Sequence, residues 1–422
     1  MALKLLEGMK VIEIAAFMAA PMGGRILGEW GADVIKVEPP TGDSNRGIGL
    51  ARHIYNGDQA GWDSINSCKR CITLDTRKPE AGHPQRDAEG LRRVPLASAT
   101  EGFQEAGSGL REPVEDQSED HLRQHLRLRH QGRVGSPRRV RRGLLRRACR
   151  LRLGLPHQGR QPDDPVLRLR RHPHGHLSGH GRAGRYIEQQ RTGKGQEVNV
   201  ALMHAGMWSV GVPIVTAAYG DEYPTDPNSV LPLARPYMCS DEKAIALMGL
   251  QWHNSWPEFV HAFGMDEDLI AKWPDYQTAL AASAEITPII TEVLANVTRD
   301  EAIEKLMTTD IPFDLCQHFA DLQDDQQAWD AGFFQGIDYP SGKHIGIVKA
   351  PAIFSSGEAE FGPSGYPGEY TREVLKEYGF DDAKIDELRE QGLVTEEDQW
   401  DKDQYNMEKL MAQAAAAKKK AE

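Results

Sequence analysis

The sequence predicts an α/β fold with a doubly wound, Rossmann-like large domain, and three observations carry that reading. Residues 10–15 (KVIEIA) and 34–38 (VIKVE) are short β-branched runs, and between them Pro21-Met22-Gly23-Gly24 opens a helix over 25–30. A strand–helix–strand unit with such short connections makes a parallel pair. Residues 71–75 (CITLD) read as a further strand, with Lys78-Pro79-Glu80 starting its following helix. Strand character returns at 342–354, and two capped amphipathic helices follow at 371–378 and 381–391, split at Gly379.

Between these ends, residues 196–200 (QEVNV) read as a strand. Residues 202–215 form an apolar, mostly helical run with Met203, His204, Met207 and Trp208. A second region, about 224–311, is rich in helical pattern over 256–263, 279–294 and 299–307. The tail, 406–422, is an Ala/Lys helix or a frayed end.

Residues 81–185 break the pattern. They hold 22 of the 32 arginines and 9 of the 15 histidines, but no Lys, Ile, Met, Asn, Tyr or Trp. Arginines and glycines interrupt every apolar run, so no period survives for long. A core built from this stretch would bury several unpaired guanidiniums, each costing roughly several kcal/mol. Taken literally it is expected to be disordered or strained, with order returning at Tyr186.

Composition bounds the function classes. The net charge is −12, and 22 Arg against 11 acids in 81–185 leave −23 for the rest. That is an acidic enzyme surface, not one built for nucleic acid. No apolar run approaches the roughly 18 residues that span a bilayer, and residues 1–9 lack a secretory pattern. Cys68, Cys71, Cys149, Cys239 and Cys316 make no even disulfide framework, which favours a reducing cytoplasm.

Several blocks together closely resemble the class III CoA-transferases (CaiB/BaiF, formyl-CoA transferase-like). They are residues 8–14 (GMKVIEI), Ala20-Pro21, 31–38 (GADVIKVE), Gly42-Asp43, 68–75 (CKRCITLD), 192–196 (TGKGQ) and 368–385. Residues 311–317 (IPFDLCQ), 325–329 (DQQAW) and Tyr339-Pro340 look most like the branch acting on 2-hydroxy acids (aryl-lactate, hydroxyisocaproate) in amino-acid fermentation. The resemblance implies an interlocked homodimer. It also implies a layout with 1–80 opening the large α/β domain, 81–185 anomalous and 186–225 continuing the large domain. A smaller α+β domain would follow at 226–325, a return to the large domain at 326–398, and a helical or disordered tail at 399–422. It implies acyl-CoA and carboxylic-acid substrates, coenzyme A as substrate rather than a permanently bound cofactor, and no nucleic-acid or membrane partner.

The chemistry that the resemblance implies is nucleophilic. An aspartate attacks the acyl-CoA to give a mixed anhydride, and the released thiolate forms an aspartyl-CoA thioester that the acceptor acid reverses. Such a site needs oxyanion donors and exclusion of water. The implied CoA-binding positions are Met18, Ala19, Leu74 and Arg77. Met18 departs from the glutamine of the formyl-CoA branch and Arg77 from its lysine, though Arg77 still offers a guanidinium to a phosphate. The aspartate itself belongs to the anomalous stretch.

That stretch makes sense one nucleotide later. In the shifted frame residues 99–112 permit Arg-Pro-Lys-Ala-Phe-Lys-Lys-Leu-Gly-Leu-Asp-Tyr-Glu, and residues 140–147 permit Phe-Asp-Glu-Val-Phe-Tyr-Ala. Residues 125–133 and 168–176 behave likewise, and all four resemble family blocks in family order. Under this frameshift the catalytic aspartate is encoded across Arg141 and Arg142, so no catalytic residue is intact in the chain as written. The expectation is an inactive chain whose corrected form is the transferase.

Other readings carry less. His172, His174, His176 and His180 have metal-ligand composition but no orienting carboxylate. The Arg-rich run at 138–152 could neutralise phosphates, yet no aromatic is interleaved with it. Cys68 and Cys71 have C-x-x-C spacing without a second pair. His204 reads as a packed core histidine, and Gly193-Lys194-Gly195 as a turn before a strand. Two alternatives to the transferase are an acyl-CoA racemase of the same family, working through a His/Asp pair, and a non-enzymatic Arg-rich nucleic-acid-binding protein.

Overall fold

A computed structural model describes residues 2–47, 58–76, 96–98, 172–221, 230–317 and 319–400. Described residues before 212 and after 327 form one compact unit, and those from 212 to 327 form a second.

The first unit is built on a parallel sheet. Its strands are β1 (Lys10–Ile14), β2 (Asp33–Glu38), β3 (Lys69–Thr73) and β4 (Leu96–Ser98), in spatial order β3-β2-β1-β4. The helix α1 (Ala19–Glu29) crosses from β1 to β2, and α2 (Ala60–Asn66) precedes β3. Register places Val11 beside Val34 and Ile12 beside Ile35. The two-residue period then sends Val11 and Val34 to one face with Ile26, Leu27 and Trp30 of α1. Ile12, Ile35, Val37 and Ile72 go to the other, against Val374. Both faces are covered, as a parallel sheet requires. The fold is the α/β doubly wound one the sequence predicts. The order reverses at β1, whose neighbours are β2 and β4, and in open α/β sheets ligands bind at the carboxyl ends of the strands at such a switch point.

The first correction concerns residues 172–185. They belong to a helix, α3 (His172–Thr192), rather than to an irregular stretch ending at Tyr186. Intrinsic propensity does not make this helix, since Gly, His and Arg dominate its first half. Close packing on α1 does. A Cβ on Gly23 would stand 2.9 Å from Ser178 Oγ, one on Gly175 2.6 Å from Met22 Cβ, and one on Gly179 3.2 Å from Ile26. The helix buries two guanidiniums, Arg182 and Arg185. Arg185 donates to the Gln196 carbonyl at 2.6 Å and to Gln189 at 3.1 Å.

Beyond α3 lie α4 (Leu202–Ser209) and α5 (Gly211–Ala217), broken at Val210. Residues 196–200 are not a strand: no described strand lies beside them to take up their backbone groups. His204 is exposed on α4 and not in a core.

The second unit holds an antiparallel sheet, β5 (Pro236–Met238), β6 (Ala244–Leu247) and β7 (Phe313–Cys316). Its core centres on Trp252 and Trp256, stacked at 4.9 Å, whose indole N–H groups donate to the Trp273 and Leu269 carbonyls. The single helix expected over 279–294 is two, Tyr276–Ala281 and Ser283–Ala295. The first opens with an Asp275/Thr278 capping box, and Ser283 Oγ bonds the Val230 carbonyl at the junction.

The chain then returns to the first unit. A hairpin of β8 (Phe334–Asp338) and β9 (His344–Val348) precedes two helices, α6 (Thr371–Glu377) and α7 (Asp382–Glu390). Gly379 (φ +88°) separates them, and Asp381 caps α7 by accepting from the Lys384 N–H at 2.8 Å. Thr371 does not cap α6; its hydroxyl is held by β3 and residue 395. Arg70 clamps α6 to the sheet edge through Asp33 at 2.8 Å and Glu377 at 2.6 Å, while Arg372 pairs with Glu396.

These ion pairs predict an acid response. Hydrogen bonds from Arg70 and Arg372 hold Glu377 and Glu396 below the ordinary carboxylate value. Carboxylates depressed on folding stabilise above their unfolded value near 4.5 and lose that contribution as pH falls through the depressed one. Protection from hydrogen exchange in α6 and α7, taken against the intrinsic rate at each pH, is therefore expected to fall below about pH 4, ahead of β1 and β2. Equal loss of protection in all four elements would contradict this.

Candidate active site

The face of the sheet beneath α1 changes character along its length. Its amino half carries Val11 and Val34; two residues on, in the same period, come Glu13 and Lys36, and then Glu38. All three charges are fully buried. Lys36 Nζ donates to the Ala15 carbonyl at 2.8 Å and lies 3.3 Å from Glu13 and 3.1 Å from Asp43. It thereby joins the exit of β1 to the loop after β2. Asp43 in turn accepts from the Asn45 N–H at 2.8 Å and the Phe17 N–H at 3.4 Å. Phe17 has φ +65°, an unusual conformation for a non-glycine residue, at the turn into α1.

Glu38 takes a bidentate fork from Arg46, at 2.8 and 2.7 Å, and its second oxygen also accepts the Asp43 N–H. The Arg46 guanidinium lies 3.9 Å from the centre of the Trp62 ring. Glu13 also meets Lys69 at 3.1 Å, and a Cβ on Gly24 would overlap its free oxygen. Gly24 is therefore the residue that lets α1 approach the buried carboxylate.

The two lysines beside Glu13 respond differently. Burial lowers the pKa of each, but Lys36 faces Asp43, Glu13 and Glu38, which together raise it above the ordinary value. Lys69 faces Glu13 with Lys36 alongside, so burial wins and brings it to about 8. Burial raises the Glu13 pKa, yet Lys69, Lys36 and Arg182 outweigh it and hold the carboxylate ionised. At Asp63 the Arg46 charge and the accepted hydrogen bonds do not outweigh burial. Asp63 accepts from Tyr339 at 2.7 Å and from Ser364 at 2.8 and 2.6 Å, and burial pushes its pKa up.

This network is a platform and not a reaction centre. Glu13, Glu38, Asp43 and Asp63 are all buried, and the first three face cations, so none is placed to attack a substrate. Of the positions singled out in the sequence, Met18 is the buried residue that precedes α1 without a side-chain cap, and Ala19 is its first residue. Leu74 leaves the end of β3, its N–H bonded to the Glu38 carbonyl at 2.8 Å. All three stand on the carboxyl edge of the sheet. Arg77, Arg141 and Arg142 lie outside the described residues.

Among the described residues, no histidine or cysteine is set for chemistry at this edge. His180 packs on Trp30 with ring centres 5.7 Å apart, and burial lowers the His176 pKa. Cys68 and Cys71 are free thiols pushed up by burial, Cys68 to about 12, which leaves little thiolate. The buried charges escaped sequence reading. Their one signal was a lysine and a glutamate inside the β-branched run VIKVE, where polar residues more often face solvent.

The CoA-transferase family III model matches residues 6–84 and 149–367. The chain belongs to CoA-transferase family III. Within the family, an (R)-2-hydroxy-4-methylpentanoate CoA-transferase of Clostridioides difficile is 28% identical over 414 residues, covering 92% of this chain and 99% of the relative. A cinnamoyl-CoA:phenyllactate CoA-transferase of Clostridium sporogenes is 28% identical over 397 residues, 90% and 95% of the two chains. Among solved structures, a CAIB/BAIF family protein from Brucella suis has a TM-score of 0.68 at 22% identity, over 89% of this chain and 99% of that one. Rv3272 from M. tuberculosis has a TM-score of 0.67 at 19% identity, over 87% and 98%. The family III model skips residues 85–148, inside the Arg-rich stretch, and resumes before Tyr186.

Proposed function

We propose that the intact protein transfers CoA between an acyl-CoA and a 2-hydroxy carboxylic acid through an aspartyl-CoA intermediate, and that the chain as written has lost the nucleophile. The observation that carries this is near end-to-end similarity to two transferases named for 2-hydroxy acids, within a family III match on both sides of the break. Those relatives are named for transfer, which favours it over α-proton exchange by a racemase.

On this reading the carboxylate attacks the thioester carbonyl and expels the CoA thiolate. The thiolate then attacks the mixed anhydride, releasing the first acid and leaving CoA on the aspartate. The acceptor carboxylate repeats the two steps in reverse. Met18, Ala19, Leu74 and Arg77 are the positions proposed for CoA, with uncapped N–H groups of α1 available to an anion. No metal or permanent cofactor enters the chemistry, and the protein is proposed to work in the cytoplasm.

A homodimer is part of the proposal. In the first unit α4 exposes Met203, Met207 and Trp208 (75% exposed); in the second, Val212 (73%), Val215 and Tyr219 (89%) are exposed. Apolar side chains this bare mark interaction surfaces, each taken within its own unit. Light scattering on the frame-corrected protein is expected to give twice the chain mass, with exchange of CoA between a 2-hydroxyacyl-CoA and a second acid. A monomer active at full rate would contradict the dimer; a dimer with no exchange for any 2-hydroxy acid would contradict the substrate class.

A further inference from the structure

The last described segment of the chain runs where it is not needed to finish the helix pair. That pair is complete at Gly392 (φ +65°), yet residues 393–400 continue along the exits of β3 and β2. The Leu393 carbonyl accepts the Asp75 N–H at 2.7 Å, and Leu393 and Val394 pack against Leu74. Thr395 is knotted to β3. Its N–H donates to Thr73 Oγ1 at 2.6 Å, Thr73 Oγ1 donates to its carbonyl at 2.7 Å, and Thr371 Oγ1 donates to the same carbonyl at 3.0 Å. The Thr395 hydroxyl reaches the Pro40 carbonyl at 3.3 Å. Farther on, the Trp400 indole lies against Gly42 (φ +78°), where a Cβ would come within 3.0 Å of the ring.

We infer that residues 393–400 form a strap that positions the CoA edge. It sets where Leu74 and the 39–43 loop stand, with Thr73 and Trp400 as its anchoring residues. The inference rests on the reading of Leu74 as a CoA position. Each strand exit is held at two points: β3 by Thr73 and the Asp75 N–H, and the β2 loop by the Pro40 carbonyl and the Gly42 backbone. Releasing the strap leaves the strands paired but frees both exits to sample other conformations. A ligand that needs one of those conformations loses affinity in proportion to its population.

The test compares Thr73→Val, Thr73→Ser and Trp400→Ala in the frame-corrected full chain. Amide exchange is read by mass spectrometry at residues 39–43 and 74–76, and CoA affinity by calorimetry. Thr73→Val is expected to speed exchange at 74–76 and Trp400→Ala at 39–43, with β1 and β2 unchanged. Each should weaken CoA binding by about tenfold, as expected if about one molecule in ten stays competent. Thr73→Ser, which keeps the hydroxyl, should bind as the parent does. Unchanged exchange at 74–76 in Thr73→Val, or equal losses in Thr73→Ser, would overturn the strap. Faster local exchange in a parent chain that binds no CoA would support the strap and sink the CoA reading of Leu74.

Discussion

Replacing Lys36 by methionine is expected to destabilise the first unit by about 3–5 kcal/mol, the cost of removing one partner from a buried ion pair. The side chain is fully buried, and its ammonium is shared by Glu13, Asp43 and the Ala15 carbonyl. Methionine matches its length but returns none of that charge. Glu13 would keep Lys69 as a close cation, whereas Asp43 would lose the ammonium 3.1 Å from it. The loss should concentrate on the β1 exit and the loop after β2, the segments flanking Met18 and Ala19. Denaturant unfolding of K36M beside the double variant K36M/D43N measures it. The double variant is expected to recover much of the loss, since Glu13 keeps Lys69 and no carboxylate is left stranded. A K36M effect below about 1 kcal/mol, the size of an exposed pair, would mean that the network is solvated and not a platform.

The second large effect concerns activity. The chain as written is expected to exchange CoA at the background rate, whereas the same gene read one nucleotide later across residues 81–185 is expected to be a working transferase. Losing a catalytic nucleophile costs on the order of 10⁴–10⁶ in rate, so the two chains should be separable in one assay. The structure adds a reason for the shifted frame. Arg182 is fully buried between α3 and the sheet, and burial pulls its guanidinium down to about 10 with Glu13 offsetting only part. Moved by one base, any arginine codon followed by one for alanine reads as Val, Ala, Gly or Glu. The shift thus removes a cation from the interior. Sequencing the gene across codons 75–195 should find a one-base change near codon 80 compensated near codon 185. If the written frame stands and the chain nevertheless transfers CoA, both the frameshift and the lost nucleophile are refuted.

Much of the fold was legible because it depends on local pattern. The runs KVIEI and DVIKVE became β1 and β2 within a residue of where their β-branched residues lie, and Gly379 separates α6 from α7 through its positive φ. Errors arose where a neighbour decides. Residues 196–200 have strand composition but no described strand to pair with. Thr371 has a cap's composition but spends its hydroxyl on β3. Residues 172–185 have the composition of a loop, yet Gly175 and Gly179 fit against Met22 and Ile26 of α1, and Ser178 against Gly23.

The candidate site was legible only in part, for the same physical reason. Met18, Ala19 and Leu74 were placed by resemblance, and the parallel sheet brings all three to one edge. Glu13, Lys36, Lys69 and Arg46 were invisible as a group, because a charge in a strand does not say whether it faces water or another charge. The amino-acid sequence alone determined the class of fold and the family, since periodicity, turn residues and the order of motifs are properties of order along the chain. Only the tertiary structure decided which charges are buried together, which glycines are obligatory and what the last residues hold in place. Those depend on distances between segments tens to hundreds of residues apart.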